Sequence, residues 1–400
     1  MRAPRVRFTV QGIIVAVVVV AVPGRASEDS PKARLAAIEA AQKVNSERYG
    51  AELQKVEPTE AAQRPAIDRD LEEVRRNVGA ALELAAANPD DPVALDALKF
   101  VIRTNRAGPG DATARALRLI LERGYARVPG QGVYLAHVAL PLFQYPDAER
   151  FLRRVLDENP NRDDRGAACY WLAHHLSVQA KMVRRLREAP ARMKDYERYT
   201  AATPIGTLVE EKDPDALDEA SRALLERVVA EFGDVRVDGE TRDLGTIASG
   251  ELFARRSLTV GEAVPEVEGT DHEGKAFKLS DFRGKVVVLT FSGNWCGPCV
   301  AMYPQERARV TRLEGEPFAL VSVNTDADVE TLKKSIASGE VTWRCWWDGE
   351  GGPITTRWGI SSFPSVFVID KSGVIRFKDV RGEEMDKAVA SLLGEIPPER

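Results

Sequence analysis

The sequence predicts an α plus α/β protein, an all-helical region followed by an α/β domain, and three observations carry that expectation. From about residue 30 to residue 250 the strong helix formers Ala, Leu, Glu and Arg dominate, with apolar residues at helical spacing. Beyond Ser257 the chain turns to Gly, Pro and alternating residues, and then to the unbroken apolar run VVVLTF at residues 286–291. The 400 residues are enough for two domains. Hydrophobic residues make up 44% and charged residues 29%, which excludes a globally disordered or fibrous chain. A formal net charge of −5 argues against a nucleic-acid partner for the chain as a whole.

The elements follow in chain order. Arg2, Arg5 and Arg7 precede the apolar run IIVAVVVVAV, and Gly24 and Ala26 supply a small-x-small ending. That pattern predicts a secretory signal over residues 1–26, cut after Ala26. An uncleaved N-terminal anchor is the alternative, although a run of about 10 residues is short for a span of about 20. Both place the bulk of the protein outside the cytoplasm, where disulfide chemistry is permitted. Residues 27–256 form the predicted helical domain. Helical runs end at Asn88 before Pro89, near Gly124, at Asn159 before Pro160 and near Gly233. A repeating unit of about 35 residues, of tetratricopeptide length, fits those stops. In residues 257–397, strands are expected at 286–291 and 318–323 and helices from the cysteines at 296 and 299 and over 329–337. A hairpin is expected from strands 366–369 and 374–377, and a closing helix over 384–393.

Cys296 and Cys299 stand three residues apart, directly after the first buried strand and at the start of a helix. Thiolate, not thiol, attacks a disulfide. The free N–H groups and dipole of a helix N-terminus favour negative charge on the first sulfur. The second sulfur lies one turn in and can close a ring with the first. Cys296 is therefore the predicted attacker and Cys299 the resolver. Pro298 suits the first turn, where its missing N–H costs nothing. A structural staple would close too small a loop to stabilise much. A zinc site would need two further ligands, and Cys169 and Cys345 have no histidine in a ligand pattern beside them. No metal or other cofactor is expected.

These residues resemble the TlpA-like thiol-disulfide oxidoreductases of the thioredoxin fold, within the redoxin superfamily. The resemblance covers the last third of the chain. It rests on Val260-Gly261 and Pro265, LSDFRGK ending at Lys285, Trp295-Cys296-Gly297-Pro298-Cys299 and Pro304. Downstream it continues through Trp358-Gly359-Ile360, Phe363-Pro364 and VFVID. It implies a thioredoxin fold for residues 257–397 and a cis bond at Phe363-Pro364 facing the cysteines. It also implies that the Phe363 backbone binds a substrate strand, with Trp295, Gly297 and Pro298 beside it. The implied activity is reduction or isomerisation of protein disulfides. The implied partners are disulfide-bearing proteins, and a membrane electron-carrier protein as the source of reductant. Two positions depart from the pattern. Thr290 stands where thioredoxins carry a buried Asp, and Met302 where many TlpA-like proteins carry a Glu. Glu306, one turn further, is the nearest substitute acid, although a solvated helix face is the expectation for it.

The remaining residues receive plainer expectations. Cys169 and Cys345 are expected to be packing cysteines. His174 and His175, being adjacent, should point to different helix faces. Trp346 and Trp347 are expected in the core ahead of the substrate groove. Residues 181–198, with Lys181, Arg184, Arg185 and Arg187, should form a solvated basic face. Two other functions compete with the oxidoreductase. A peroxiredoxin-like peroxidase would carry Thr three residues before its attacking cysteine, where this chain has Gly293. A helical-repeat binding scaffold would use the redox domain only as an accessory.

Overall fold

The computed structural model describes residues 30–104, 112–130, 132–193, 205–237 and 242–394. The predicted signal segment and the end of the basic stretch at 194–198 lie outside the described residues. The chain divides into two compact units, one ending at Phe100 and the other beginning at Val101.

In the first unit α1 (Pro31–Leu53) and α2 (Glu60–Ala87) form an antiparallel pair. Ser30 and Thr59 cap their N-termini, each side chain accepting a backbone N–H three residues on. Polar pairs set the register of the two helices. Asn45 donates to Asp70 at 2.7 Å and Asn77 to Gln42 at 3.0 Å. α2 stops at Asn88, whose side-chain amide turns back to the Leu84 carbonyl. α3 (Val93–Thr104) carries the boundary with the second unit.

The second unit begins with further helices: α4 (Ala112–Glu122), α5 (Gly132–Ala139), α6 (Pro146–Glu158), α7 (Arg162–Glu188), α8 (Ile205–Glu211), α9 (Pro214–Glu231) and α10 (Leu244–Ser257). Asn159 ends α6 and is buried, donating to the carbonyls of Ala126 and Val128 at 2.8 and 3.0 Å. α7 is the central rod, with α5, α6, α8, α9 and α10 packed on it. Cys169 is a buried packing cysteine on this rod, its thiol pushed up to about 12 by burial. The two adjacent histidines point apart. His175 is buried against the Ala139 carbonyl, and burial lowers its pKa to about 4. His174 instead meets Glu251 of α10 at 3.1 Å.

After α10 come the short hairpin β1 (Glu268–Thr270) and β2 (Ala276–Lys278), then β3 (Val286–Ser292), α11 (Gly297–Arg312), β4 (Phe318–Asn324) and α12 (Val329–Ala337). β5 (Arg344–Trp347), α13 (Pro353–Arg357), β6 (Ser365–Ile369), β7 (Ile375–Lys378) and α14 (Gly382–Leu393) complete the chain. The main sheet has the order β5-β4-β3-β6-β7. β3 pairs parallel with β4 and antiparallel with β6, and all seven of its residues are buried. Its side chains alternate between two cores. Val287, Leu289 and Phe291 face Trp346, Trp358 and Phe367. Val286 and Val288 face Tyr303 of α11 and Met385 and Val389 of α14. Phe253 and Ala254 of α10, with Leu258 just beyond it, pack into the first of these cores. The last helix of the helical region thus helps build the sheet's interior.

Candidate functional site

The site stands where β3 ends and α11 begins. Cys296 is the N-cap residue of α11, and its sulfur accepts the Cys299 N–H at 3.2 Å. The two sulfurs are bonded, with Cα atoms 5.2 Å apart. Pro298 lies in the first turn. Cys296 is 5% exposed and Cys299 1%. The space around a Cβ at Gly297 is open, so packing does not require glycine there. Trp295 is 60% exposed, and its ring meets Phe363 edge-on at 5.1 Å. The Phe363-Pro364 bond is cis. Trp295 and Phe363 line one side of a cavity of about 820 Å³, with Asp326, Asp328, Glu350 and Arg242 among its other walls.

Sequence reasoning missed the residues that hold the motif loop. Asp326, just past β4, accepts the Asn294 N–H at 2.7 Å, the Asn294 side-chain amide at 2.8 Å and the Asn324 amide at 2.9 Å. Thr325 accepts the Trp295 indole N–H at 3.2 Å and donates to the Ser292 carbonyl at 3.1 Å. The available signal was Asn324-Thr325-Asp326, a polar run directly after a buried strand. The carboxyl ends of neighbouring parallel strands are where open α/β sheets gather their sites.

Glu306 requires a correction. It is not on a solvated face: it is 3% exposed, and burial lifts its carboxyl to about 7 against an opposing pull from Arg309. The reason is helical geometry. Cys299, Tyr303 and Glu306 follow one another at i, i+4 and i+7 on the face of α11 turned to the sheet. Thr290 lies buried on the strand below, and its hydroxyl has no hydrogen-bond partner among the described residues. Met302 packs partly buried against the same core. Cys345 is a packing cysteine in β5, 2.9 Å from the Ser322 hydroxyl, with its thiol raised to about 12 by burial. Trp346 stacks on Phe277 at 4.1 Å inside the core, as expected. Trp347 donates its indole N–H to the Asp326 carbonyl at 3.0 Å.

Residues 260–378 match the family model described as AhpC/TSA family. With the sheet order and the helix-capping cysteine pair, this decides the fold. The C-terminal third is a thioredoxin-fold domain. Its curated relatives include the thiol-disulfide oxidoreductase ResA of Bacillus thuringiensis subsp. konkukian. That protein is 27% identical over 153 residues, which are 38% of this chain and 87% of the relative. ResA of Geobacillus thermodenitrificans is 26% identical over the same length, with the same coverage. Among solved structures, the thioredoxin domain of a thiol-disulfide oxidoreductase from Bacteroides vulgatus is 26% identical. That match covers 34% of this chain and 99% of that one, with a TM-score of 0.32.

Within the thioredoxin-fold domain, Gly293 has a steric reason to be glycine. A Cβ there would collide with the Trp295 indole nitrogen and lie 3.1 Å from the Thr325 hydroxyl. The position therefore has no room for a threonine side chain while Trp295 keeps its bond to Thr325.

Proposed function

We propose that the protein is an extracytoplasmic thiol-disulfide oxidoreductase that reduces or isomerises disulfides of other proteins through Cys296 and Cys299. The observation that carries this reading is the cysteine pair itself. It closes across the first turn of a 16-residue helix, with the first sulfur already accepting a backbone N–H. The same donor stabilises a thiolate when the bond is open. Relatives named thiol-disulfide oxidoreductases support it.

The chemistry then runs in two exchanges. The Cys296 thiolate attacks one sulfur of a substrate disulfide. An S–S bond forms to Cys296 and the other substrate sulfur leaves as thiolate. The Cys299 thiolate attacks the Cys296 sulfur, the Cys296–Cys299 bond forms, and the second substrate sulfur leaves. Two electrons pass to the substrate, and a dithiol donor must reopen the pair. A membrane electron-carrier protein fits that donor role. Trp295 and the Phe363 backbone form the wall against which a substrate strand lies. The crowding at Gly293 favours this reading over a peroxidase that needs threonine there. The helical region is read as residues 27–256, of tetratricopeptide-like character, and the thioredoxin-fold part as residues 257–397.

The test is turnover. Mature protein supplied with a dithiol should accelerate insulin-type disulfide reduction well above the dithiol alone, and equal rates with and without protein would reject the assignment. The location has its own check. Cell fractionation and N-terminal sequencing should find the protein outside the cytoplasm, starting at Ser27. Membrane-bound protein with Met1 intact would favour the anchor, and soluble cytoplasmic protein with Met1 intact would overturn the location.

A further inference from the structure

The cavity beside Trp295 is not built by the thioredoxin-fold domain alone. Arg242, immediately before α10, is among its lining residues. Two features fix where this arginine starts. Asp243 caps α10 by accepting the Thr246 N–H at 2.8 Å. Further along the same helix, Gly250 lies backbone to backbone against the turn after α13. A Cβ on Gly250 would sit 2.5 Å from the Thr356 carbonyl oxygen and 3.0 Å from the Gly359 Cα. Gly359 stands only four residues before Phe363, so α10 is locked to the chain that carries the aromatic wall.

Among the described residues no carboxylate forms an ion pair with Arg242. Three carboxylates share the cavity with it, Asp326, Asp328 and Glu350, and each is placed differently. Asp326 is occupied by Asn294 and Asn324, and Asp328 caps α12 by accepting the Glu330 N–H. Glu350 stands exposed in the glycine-rich turn before α13. An unpaired guanidinium beside an aromatic wall offers a planar fork matched to a carboxylate.

We propose that Arg242 is a specificity-determining residue that binds an acidic side chain next to the reacting cysteine of the substrate. The inference rests on the oxidoreductase reading above and names the substrate feature that reading leaves open. It gives the helical region a direct part in choosing substrates.

The test uses the mature full-length protein and three peptide disulfides that differ in one flanking residue: Asp, Ser or Lys. Wild type should reduce the Asp peptide with a kcat/KM about tenfold above the Ser peptide, the difference lying in KM, as charge-assisted bonding to a carboxylate allows. Arg242→Gln should bring that ratio close to one. Arg242→Lys should keep part of it, and Arg242→Glu should turn the preference towards the Lys peptide. A ratio unchanged in Arg242→Gln overturns the proposal. So does a wild-type preference for the Lys peptide, which would make Asp328 and Glu350 the readers. Reduction of all three peptides at equal rates by wild type defeats the proposal while leaving the oxidoreductase reading standing. No reduction of any peptide defeats both.

Discussion

Cys299→Ser should accumulate partner proteins bound covalently to Cys296, while Cys296→Ser should bind none and lose all disulfide reductase activity. The expected effect is loss of turnover to background in both, separated by the trapped complexes that non-reducing gels followed by mass spectrometry would show. The asymmetry comes from position. Cys296 caps the helix and accepts a backbone N–H, whereas Cys299 is one turn deeper and 1% exposed. Once Cys299 is removed, no sulfur remains in reach to release the mixed disulfide, since Cys345 and Cys169 are buried packing residues. In the reduced wild-type protein, alkylation should label Cys296 first. Equal trapping by both variants, or first labelling at Cys299, would reverse the roles assigned here. Resolution should also be slow. The strand beneath the pair offers the Thr290 hydroxyl rather than a carboxylate to take the Cys299 proton.

The second large effect concerns Glu306 and stability. Its carboxyl titrates at about 7 in the folded protein against 4.5 ordinarily, because burial disfavours the ionised form. Below the ordinary value the group is protonated in both states and carries no penalty. As pH rises from there to about 7 the unfolded chain ionises while the folded protein holds its proton, so stability falls. Above that the loss levels off at roughly 3 kcal/mol, an order-of-magnitude figure from the linkage relation. Glu306→Gln keeps the shape and removes the titration. Denaturant unfolding should therefore find the variant more stable than wild type by about 2–3 kcal/mol at pH 8, the two converging near pH 4.5. Parallel pH curves would show that Glu306 does not carry a buried proton.

The fold was legible where one periodicity dominated. VVVLTF is rich in β-branched residues and apolar except for Thr290, with no polar alternation, and so reads as a strand covered on both faces. Asn88 and Asn159 are helix stops because each is followed by proline, which disfavours helical backbone at the residue before it. The cysteine pair was legible because its chemistry depends on local spacing along one helix. Asp326 and Asn294 were not, because they meet across 32 residues of chain and only the parallel β3–β4 pairing brings them together. Glu306 misled for a related reason. A charged residue on a helix is ordinarily solvated, and the polar neighbours that surround it give no sign that this stripe of α11 faces the sheet.

The packing of α10 has a consequence for anyone who treats the two regions as interchangeable parts. Phe253, Ala254 and Leu258 are plugs in the sheet's underside. Gly250 and Gly359 touch so closely that neither tolerates a side chain. A chimera joined at residue 257 would put its seam through this packed surface, leaving an apolar socket on one parent and its plug on the other. A graft that transplants the redox module intact has to carry residues 244–258 with it.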